Sequence, residues 1–291
     1  MAALLKGAPV AKAIAAELVE RAQKLELLGV VPTLAIVRVG EREDDLSYER
    51  GALKRCEKVG ISCRRYLLPA DVSQEELLRV VAEANEDPSI HGCLIFRPLP
   101  AHLKEDMVAA ALLPKKDVDS MTSASLLSTL SGHGAGYAPC TAEAVLAILD
   151  HYGIDLDGAN VVVVGRSLVI GKPVASMLLA RNATVTTCHT HTRDLADVCR
   201  RADVVVAAAG HARTLGADAV RPGQTIIDVG INWDAQAKKL VGDVDFEAVE
   251  PLVDAVTPVP GGVGAVTTAI LARHVICAAE EACEHVVRTM Q

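Results

Sequence analysis

Aromatic residues are scarce in this chain of 291 residues: one Trp, four Tyr and two Phe, although hydrophobic residues make up 51%. A core must therefore be assembled from Ala, Val, Leu and Ile, the composition of sheets covered on both faces by helices. At roughly 150 residues per domain, the length corresponds to about two domains. A charged fraction of 23% excludes a disordered chain. The net charge of −8 and pI near 5.6 argue against a nucleic-acid partner. No uncharged apolar run approaches the ~18 residues of a membrane span. Lys6, Lys12, Glu17 and Glu20 make the N-terminus unlike a signal or transit peptide, so no membrane partner is expected. The eight cysteines include no CxxC pair, as expected of reduced thiols in a cytoplasm.

Hydrophobic periodicity divides the chain into alternating elements. Val10, Ile14, Leu18, Ala22 and Leu25 recur at helical spacing. Strands are expected at Thr33–Val39, Ile61–Leu68 and His91–Phe96, and helices at Leu46–Val59, Gln74–Asn85 and Leu103–Leu112. Ser, Thr and Gly dominate from Pro114 to Pro139, which marks a domain boundary. A helix from Thr141 to Tyr152 opens a second series, with strands at Asn160–Val164, Thr184–Cys188, Val204–Ala208 and Thr225–Val229. A last helix, about Val266 to Val287, is long enough to pack back on the first domain. The pattern predicts an α/β fold of two domains, each built from parallel βα units, the second Rossmann-like. The expected division is 1–139 with 266–291, against 140–265.

The run Val161-Val162-Val163-Val164-Gly165-Arg166-Ser167-Leu168-Val169-Ile170-Gly171-Lys172-Pro173 reads as a buried strand, a glycine turn and a helix start. Gly165 permits a tight turn, Ser167 can donate to a phosphate and Gly171 permits close approach. The spacing is GxSxxxGxP rather than GxGxxG, so an ordinary structural turn is the competing explanation. An NAD site wants an acid about 20 residues further on, yet none occurs from Arg166 through Arg193. Cys188-His189-Thr190-His191-Thr192-Arg193 lies there instead, and its hydroxyl and guanidinium groups suit the 2′-phosphate of NADP over NAD. His189 and His191 alone make a poor metal site, and no metal is expected.

Further segments carry a family resemblance. They are Val39-Gly40 with Ser47-Tyr48 and Lys54-Arg55-Cys56-Glu57-Lys58-Val59-Gly60-Ile61; Pro98-Leu99-Pro100; Lys116-Asp117-Val118-Asp119; Pro139-Cys140-Thr141; Asp228-Val229-Gly230-Ile231-Asn232; Val241-Gly242-Asp243-Val244; and Thr257-Pro258-Val259-Pro260-Gly261-Gly262-Val263-Gly264. In order and together with GRSxxxGKP, they resemble the methylenetetrahydrofolate dehydrogenase / methenyltetrahydrofolate cyclohydrolase family from about residue 8 to 285. The resemblance implies NADP-dependent oxidation of 5,10-methylenetetrahydrofolate in one-carbon metabolism, a folate bound in the cleft between two domains, and a homodimer. It implies that Tyr48 packs on the folate rings and that Asp119 hydrogen-bonds the pterin, the two residues closest to the chemistry. Pro98, Leu99, Pro260, Gly261 and Gly262 would line the folate site. Thr141, Gly165, Arg166, Ser167, Thr190 and Ile231 would hold the cofactor, with Arg166 and Thr190 near the 2′-phosphate.

Local patterns leave other roles open. Tyr48 shares a helical face with Ala52, Cys56 and Val59, as a core residue would. Asp119 could cap a turn, Arg166 could be a solvated charge, Cys140 and Cys188 suit small buried positions, and PGGVG could be a plain loop. A different two-domain Rossmann oxidoreductase, of the amino-acid or shikimate dehydrogenase kind, is the alternative enzyme; a non-catalytic folate or nucleotide binder is the alternative outside catalysis.

The chain also departs from the family. An ungapped count places the family's catalytic Lys at Ala52 and the Gln of QLPLP at Phe96; Ser120 stands for the Gly of DVDG and Ala265 for the Pro of PGGVGP. Lys54 and Arg50 should point away from the Tyr48 face of the helix. Arg97 is next to Phe96, and neighbouring strand residues point to opposite faces, so it should not fill the Gln position either. Hydrolysis of a methenyl cation needs a positioned acid–base group, and Ala and Phe supply none, so cyclohydrolase activity is expected to be much reduced.

Overall fold

The structure is a computed structural model that describes residues 1–289; Met290 and Gln291, which the expected first domain included, lie outside the described residues. The chain begins with strand β1 (Ala3–Leu4) and helix α1 (Gly7–Leu27). Then come β2 (Thr33–Val39), α2 (Glu43–Val59), β3 (Ser62–Leu68), α3 (Gln74–Glu86), β4 (Gly92–Ile95) and α4 (Glu105–Ala111). After α5 (Ser123–Ser131) and α6 (Cys140–His151) the second series runs β5 (Asn160–Val164), α7 (Gly171–Leu179), β6 (Thr184–Cys188), α8 (Leu195–Arg200), β7 (Val204–Ala207) and β8 (Thr225–Asp228). A hairpin, β9 (Asn232–Asp234) with β10 (Lys239–Val241), precedes α9 (Phe246–Val249), β11 (Ala255–Val256) and the long α10 (Thr267–Thr289).

Two compact units emerge. One comprises Met1–Lys12, Thr129–Gly132 and Thr141–Thr267; the other comprises Ala13–Ser128, His133–Cys140 and the chain from Thr268 onward. The first unit holds a six-stranded parallel sheet in the order β1-β11-β8-β7-β5-β6. Its core is β-branched and small: Val162, Val164, Val205, Ala207, Ile226 and Val256 are all buried together. The second holds a three-stranded parallel sheet, β3-β2-β4. Every residue of β2 is buried, because α3 packs Val80, Val81 and Ala84 against Ala35 and Val37 from that strand.

Three features differ from expectation. The first twelve residues belong with the nucleotide-type sheet, because β1 pairs in parallel with β11 and extends its edge. The Ser/Thr/Gly stretch contains a helix, α5, which weak helix formers conceal; the Thr122 hydroxyl accepts the Ser125 amide at 3.1 Å and caps it. Helix α2 starts at Glu43, and Glu43, Asp44 and Asp45 fill its first turn, where the helix dipole favours acids. The segment Val263–Glu284 is long and apolar enough to cross a membrane, but 67% of it is buried inside the protein, as in a core helix.

Candidate active site

The nucleotide-type turn is built from backbone. Val164 pairs with Cys188 across β5 and β6, and the Gly165 amide donates to the Cys188 carbonyl at 2.9 Å. The turn after β5 and the polar turn after β6 therefore leave the sheet side by side, which brings Gly165 and Arg166 beside the His189–Thr192 turn. Gly165 has φ +137°, and a Cβ there would overlap the Ala208 carbonyl oxygen. A Cβ on Gly171 would overlap the Gly165 carbonyl. Each glycine thus fills space needed by its neighbour's backbone, which is why both positions are fixed. The Ser167 Oγ accepts the Ile170 amide at 3.1 Å and the Gly171 amide at 3.4 Å, leaving its own O–H to donate. Arg166 and Thr190 are exposed at this end of the sheet, and Thr141 lies half-buried in the first turn of α6. The first acid past β6 is Asp194, beyond the turn.

A second backbone device follows β8. Asp228 is buried, and its carboxylate accepts amides of Gly230, Asp243 and Val244 at 3.0, 2.9 and 3.0 Å. Burial outweighs these bonds and pushes its carboxyl up to about 6. A Cβ on Gly242 would overlap the Asp228 carboxylate, and one on Gly230 would overlap that of Asp243. The DVG and GDV motifs are two halves of one reciprocal lock, a relation not apparent when each is read alone. The lock holds Ile231, which is 62% exposed, at a cavity of about 310 Å³ that Pro260, Gly261 and Gly262 also line. The loop carrying those residues is clamped from below: Gly7 donates to the Gly261 carbonyl at 2.8 Å, and a Cβ on Gly7 would overlap the Gly262 carbonyl.

In the other unit the candidate residues are side chains. The buried Arg38–Glu49 ion pair, 2.8 Å, ties α2 to β2 and fixes the helix face next to Tyr48. On that face Ala52, Cys56 and Val59 are buried, whereas Tyr48 is half-buried at its rim. Arg50 and Lys54 are exposed, turned off the face as expected. The Tyr48 ring meets Phe96 edge to face, centroids 5.9 Å apart at 83°. Phe96 and Ala52 are both buried apolar residues and supply no proton donor or acceptor. Helix α2 also reaches the next loop, where Arg42 donates to the Pro98 carbonyl at 3.1 Å; Leu99 packs on the β2–α3 core.

The structure sorts the KDVD motif residue by residue. Lys116 donates to the carbonyls of Ala84, Asn85 and Asp87, ending α3. Asp117 accepts the Met121 and Thr122 amides. Val118 is fully buried, and its carbonyl accepts from the His274 ring at 2.9 Å and the Cys140 thiol at 3.3 Å. Asp119 is half-buried, and its Oδ1 accepts the Cys140 amide at 2.9 Å. Burial raises its carboxyl, opposed by the Cys140 hydrogen bonds and by the charge of Arg97. Ser120 has φ +57°, which explains the Gly expected there, and its buried hydroxyl has no hydrogen-bond partner.

Two residues were not singled out as site members by sequence. Cys140 orients Asp119 through its amide, a role that no side-chain pattern announces. Arg97 was placed opposite Phe96 by strand alternation, but β4 ends at Ile95. Both residues lie beyond the strand, so the alternation does not apply, and the charge of Arg97 favours the ionised form of Asp119.

A Rossmann-like unit with an interlocked glycine turn, carried with a second βα unit, defines a nucleotide-dependent oxidoreductase class. Residues 139–283 match the model for the NAD(P)-binding domain of tetrahydrofolate dehydrogenase/cyclohydrolase, and residues 5–119 match that for its catalytic domain. The chain belongs to the tetrahydrofolate dehydrogenase/cyclohydrolase family. The bifunctional protein FolD of Carboxydothermus hydrogenoformans is 50% identical over 96% of this chain and 98% of its own. The Campylobacter jejuni enzyme FolD, a methylenetetrahydrofolate dehydrogenase/cyclohydrolase, superposes with TM-score 0.93 at 38% identity, covering 97% of this chain and 99% of that one. The Trypanosoma brucei enzyme, solved with NADP and an inhibitor, superposes with TM-score 0.90 at 34% identity, covering 96% and 98%. A shikimate dehydrogenase from Aquifex aeolicus shares the fold alone, at TM-score 0.52 and 10% identity, so the shikimate-type alternative is not supported.

Proposed function

We propose that this chain oxidises 5,10-methylenetetrahydrofolate to the 5,10-methenyl form with NADP. The interlocked Gly165–Gly171 turn carries this proposal, because its backbone packs so closely that neither residue can carry a Cβ, the form of a strand-to-helix turn that receives a pyrophosphate at the helix N-terminus. NADP, when bound, accepts the hydride. The cation left on the folate is shared by two nitrogens, so no strong base is required and the protein mainly orients the reactants. Gly165, Ser167 and the first turn of α7 hold the diphosphate; Arg166 and Thr190 face the 2′-phosphate; Thr141 and Ile231 contact the rest of the cofactor. Tyr48 stacks on the folate, Asp119 takes the pterin N–H groups, and Pro98 and Leu99 in the same unit and Pro260, Gly261 and Gly262 in the other are the folate-contacting backbone.

Hydrolysis of the methenyl product calls for proton transfer. Ala52 and Phe96 are buried apolar groups that hold no proton, so the product is released largely unhydrolysed. The assay is spectrophotometric: reduced cofactor and methenyltetrahydrofolate are followed together. Equimolar accumulation of both is expected; rapid enzymatic loss of the methenyl signal would refute the hydrolysis claim alone, and no cofactor reduction would refute the whole.

We also infer a homodimer through the nucleotide-binding unit, in a reducing cytoplasm. Trp233 and Leu240 pair across the β9–β10 hairpin and are 65% and 40% exposed, an apolar face suited to a second copy. All eight cysteines are free thiols. Sedimentation of the protein and of Trp233→Ser reports the dimer and its loss.

A further inference from the structure

The geometry points to Arg97 as a specificity-determining residue, whose guanidinium and the Asp119 carboxylate together read the two halves of a 4-oxopteridine edge. This rests on Asp119 being the pterin-binding carboxylate. An isolated parallel bridge between Cys93 and Asp117 lays the Asp117–Asp119 stretch alongside β4. Arg97 lies four residues past Cys93 and Asp119 two past Asp117, so both leave the same end of that pairing. Arg97 retains 22% side-chain exposure, and the Glu105 carboxylate stands 3.9 Å from it, too far for a hydrogen bond. The loop carrying it is pinned by the Arg42 bond to the Pro98 carbonyl, so the side chain projects from a fixed backbone. The Arg97 charge also opposes the burial that raises the Asp119 carboxyl.

The chemistry of the ligand edge matches this pair. A 2-amino-4-oxopteridine presents, in order, an amino group, a ring N–H and a carbonyl oxygen. A carboxylate only accepts and a guanidinium only donates. Asp119 takes the two donors, and Arg97 donates to the carbonyl. A neutral 2,4-diaminopteridine keeps only the 2-amino donor for Asp119, since its N3 carries no hydrogen, and presents an amino group to Arg97, donor against donor. A site built this way disfavours the analogue because the half-buried Arg97 donor is left facing another donor. The QLPLP pattern has Leu at this position, where this chain carries Arg97.

Titration calorimetry of the full chain with folic acid and with a 2,4-diamino analogue of the same tail tests the inference. The unmodified protein is expected to favour the 4-oxo ligand. Arg97→Leu should weaken the 4-oxo ligand about 10- to 100-fold, the range of a charge-assisted hydrogen bond, and leave the diamino ligand unchanged or tighter. Arg97→Lys, which keeps the charge without the fork, should retain part of the preference, and serves if Arg97→Leu unfolds. Asp119→Asn should weaken both ligands. If the 4-oxo to diamino ratio is unchanged in both Arg97 variants while Asp119→Asn weakens both ligands, Arg97 is not the determinant and the Asp119 assignment stands. If Asp119→Asn leaves both affinities intact, the Asp119 assignment falls and the inference with it.

Discussion

The candidate residues of the two units are made of different materials. In the nucleotide-binding unit, the working surface is backbone: Gly165, Gly171, Gly230 and Gly242 each occupy a place where a Cβ would overlap a neighbouring main chain or buried carboxylate. In the folate unit the working surface is side chains on a rigid frame: Tyr48 and Ala52 on α2, Phe96 and Arg97 past β4, Asp119 past the buried Val118. A backbone site admits one residue type per position. A side-chain site can be rewritten while the frame stays, because exchanging Lys and Gln for Ala and Phe leaves the strands and the α2 face in place. The pairing of the exchange is visible in the Phe96 ring, which packs on Tyr48 at a centroid distance of 5.9 Å, an arrangement worth about 0.5–1.5 kcal/mol beyond burial.

That contrast can be broken at its strongest point. Gly165→Ala forces a Cβ into the Ala208 carbonyl at φ +137°. Strain and overpacking together should cost about 3 kcal/mol or more, and NADP binding should be lost. Calorimetric binding and a denaturant melt check both; an intact NADP affinity would show that the turn is not the cradle.

The folate side should instead accept change and alter chemistry. Ala52→Lys with Phe96→Gln is expected to raise methenyl hydrolysis by ~10²–10⁴-fold, the usual contribution of a general acid–base group. Ala52→Lys alone should give less, since Ala52 is fully buried and a lone ammonium there lacks a partner. Decay of the methenyl absorbance measures it. A double variant that folds but hydrolyses no faster would mean that α2 lies differently towards the substrate.

Arg166→Ala tests a side chain set on the backbone site. It should weaken NADP by ~10- to 100-fold and NAD little, since a charge-assisted phosphate contact is worth about 1.5–3 kcal/mol. Equal losses for both cofactors would move the 2′-phosphate contact elsewhere. The smallest effect is expected at Ser120→Gly. The change relieves a non-glycine φ of +57° and removes an unpartnered buried hydroxyl. It should stabilise by about 1 kcal/mol after the entropy cost of glycine, raising Tm by roughly 2–4 °C. A lower Tm would mean that the hydroxyl is satisfied in solution.

Much of the molecule was legible before any coordinates. The βα alternation followed from apolar period, and the strands at Asn160–Val164 and Thr184–Cys188 lie where a fully buried apolar run or a turn-bounded β-branched run would put them. The short elements β1, β11, α8 and the β9–β10 hairpin fall below the length at which periodicity speaks. Helix α5 was hidden by its Ser-rich composition, since capping and packing decide it.

Sequence alone determined the glycine spacing of the nucleotide turn, the missing acid after β6, and the substitutions at positions 52, 96, 120 and 265. Each is a statement about which atoms exist, and chemistry reads it without coordinates. The tertiary structure decided what those atoms meet. It set the reciprocal lock of Asp228 and Asp243 with each other's glycines, 15 residues apart in the chain. It brought Phe96 onto Tyr48 and Arg97 towards Asp119. It also placed the first strand in the sheet of the second series. These relations depend on which segments become neighbours, and neighbours distant in sequence are chosen by packing of the whole core rather than by any local pattern.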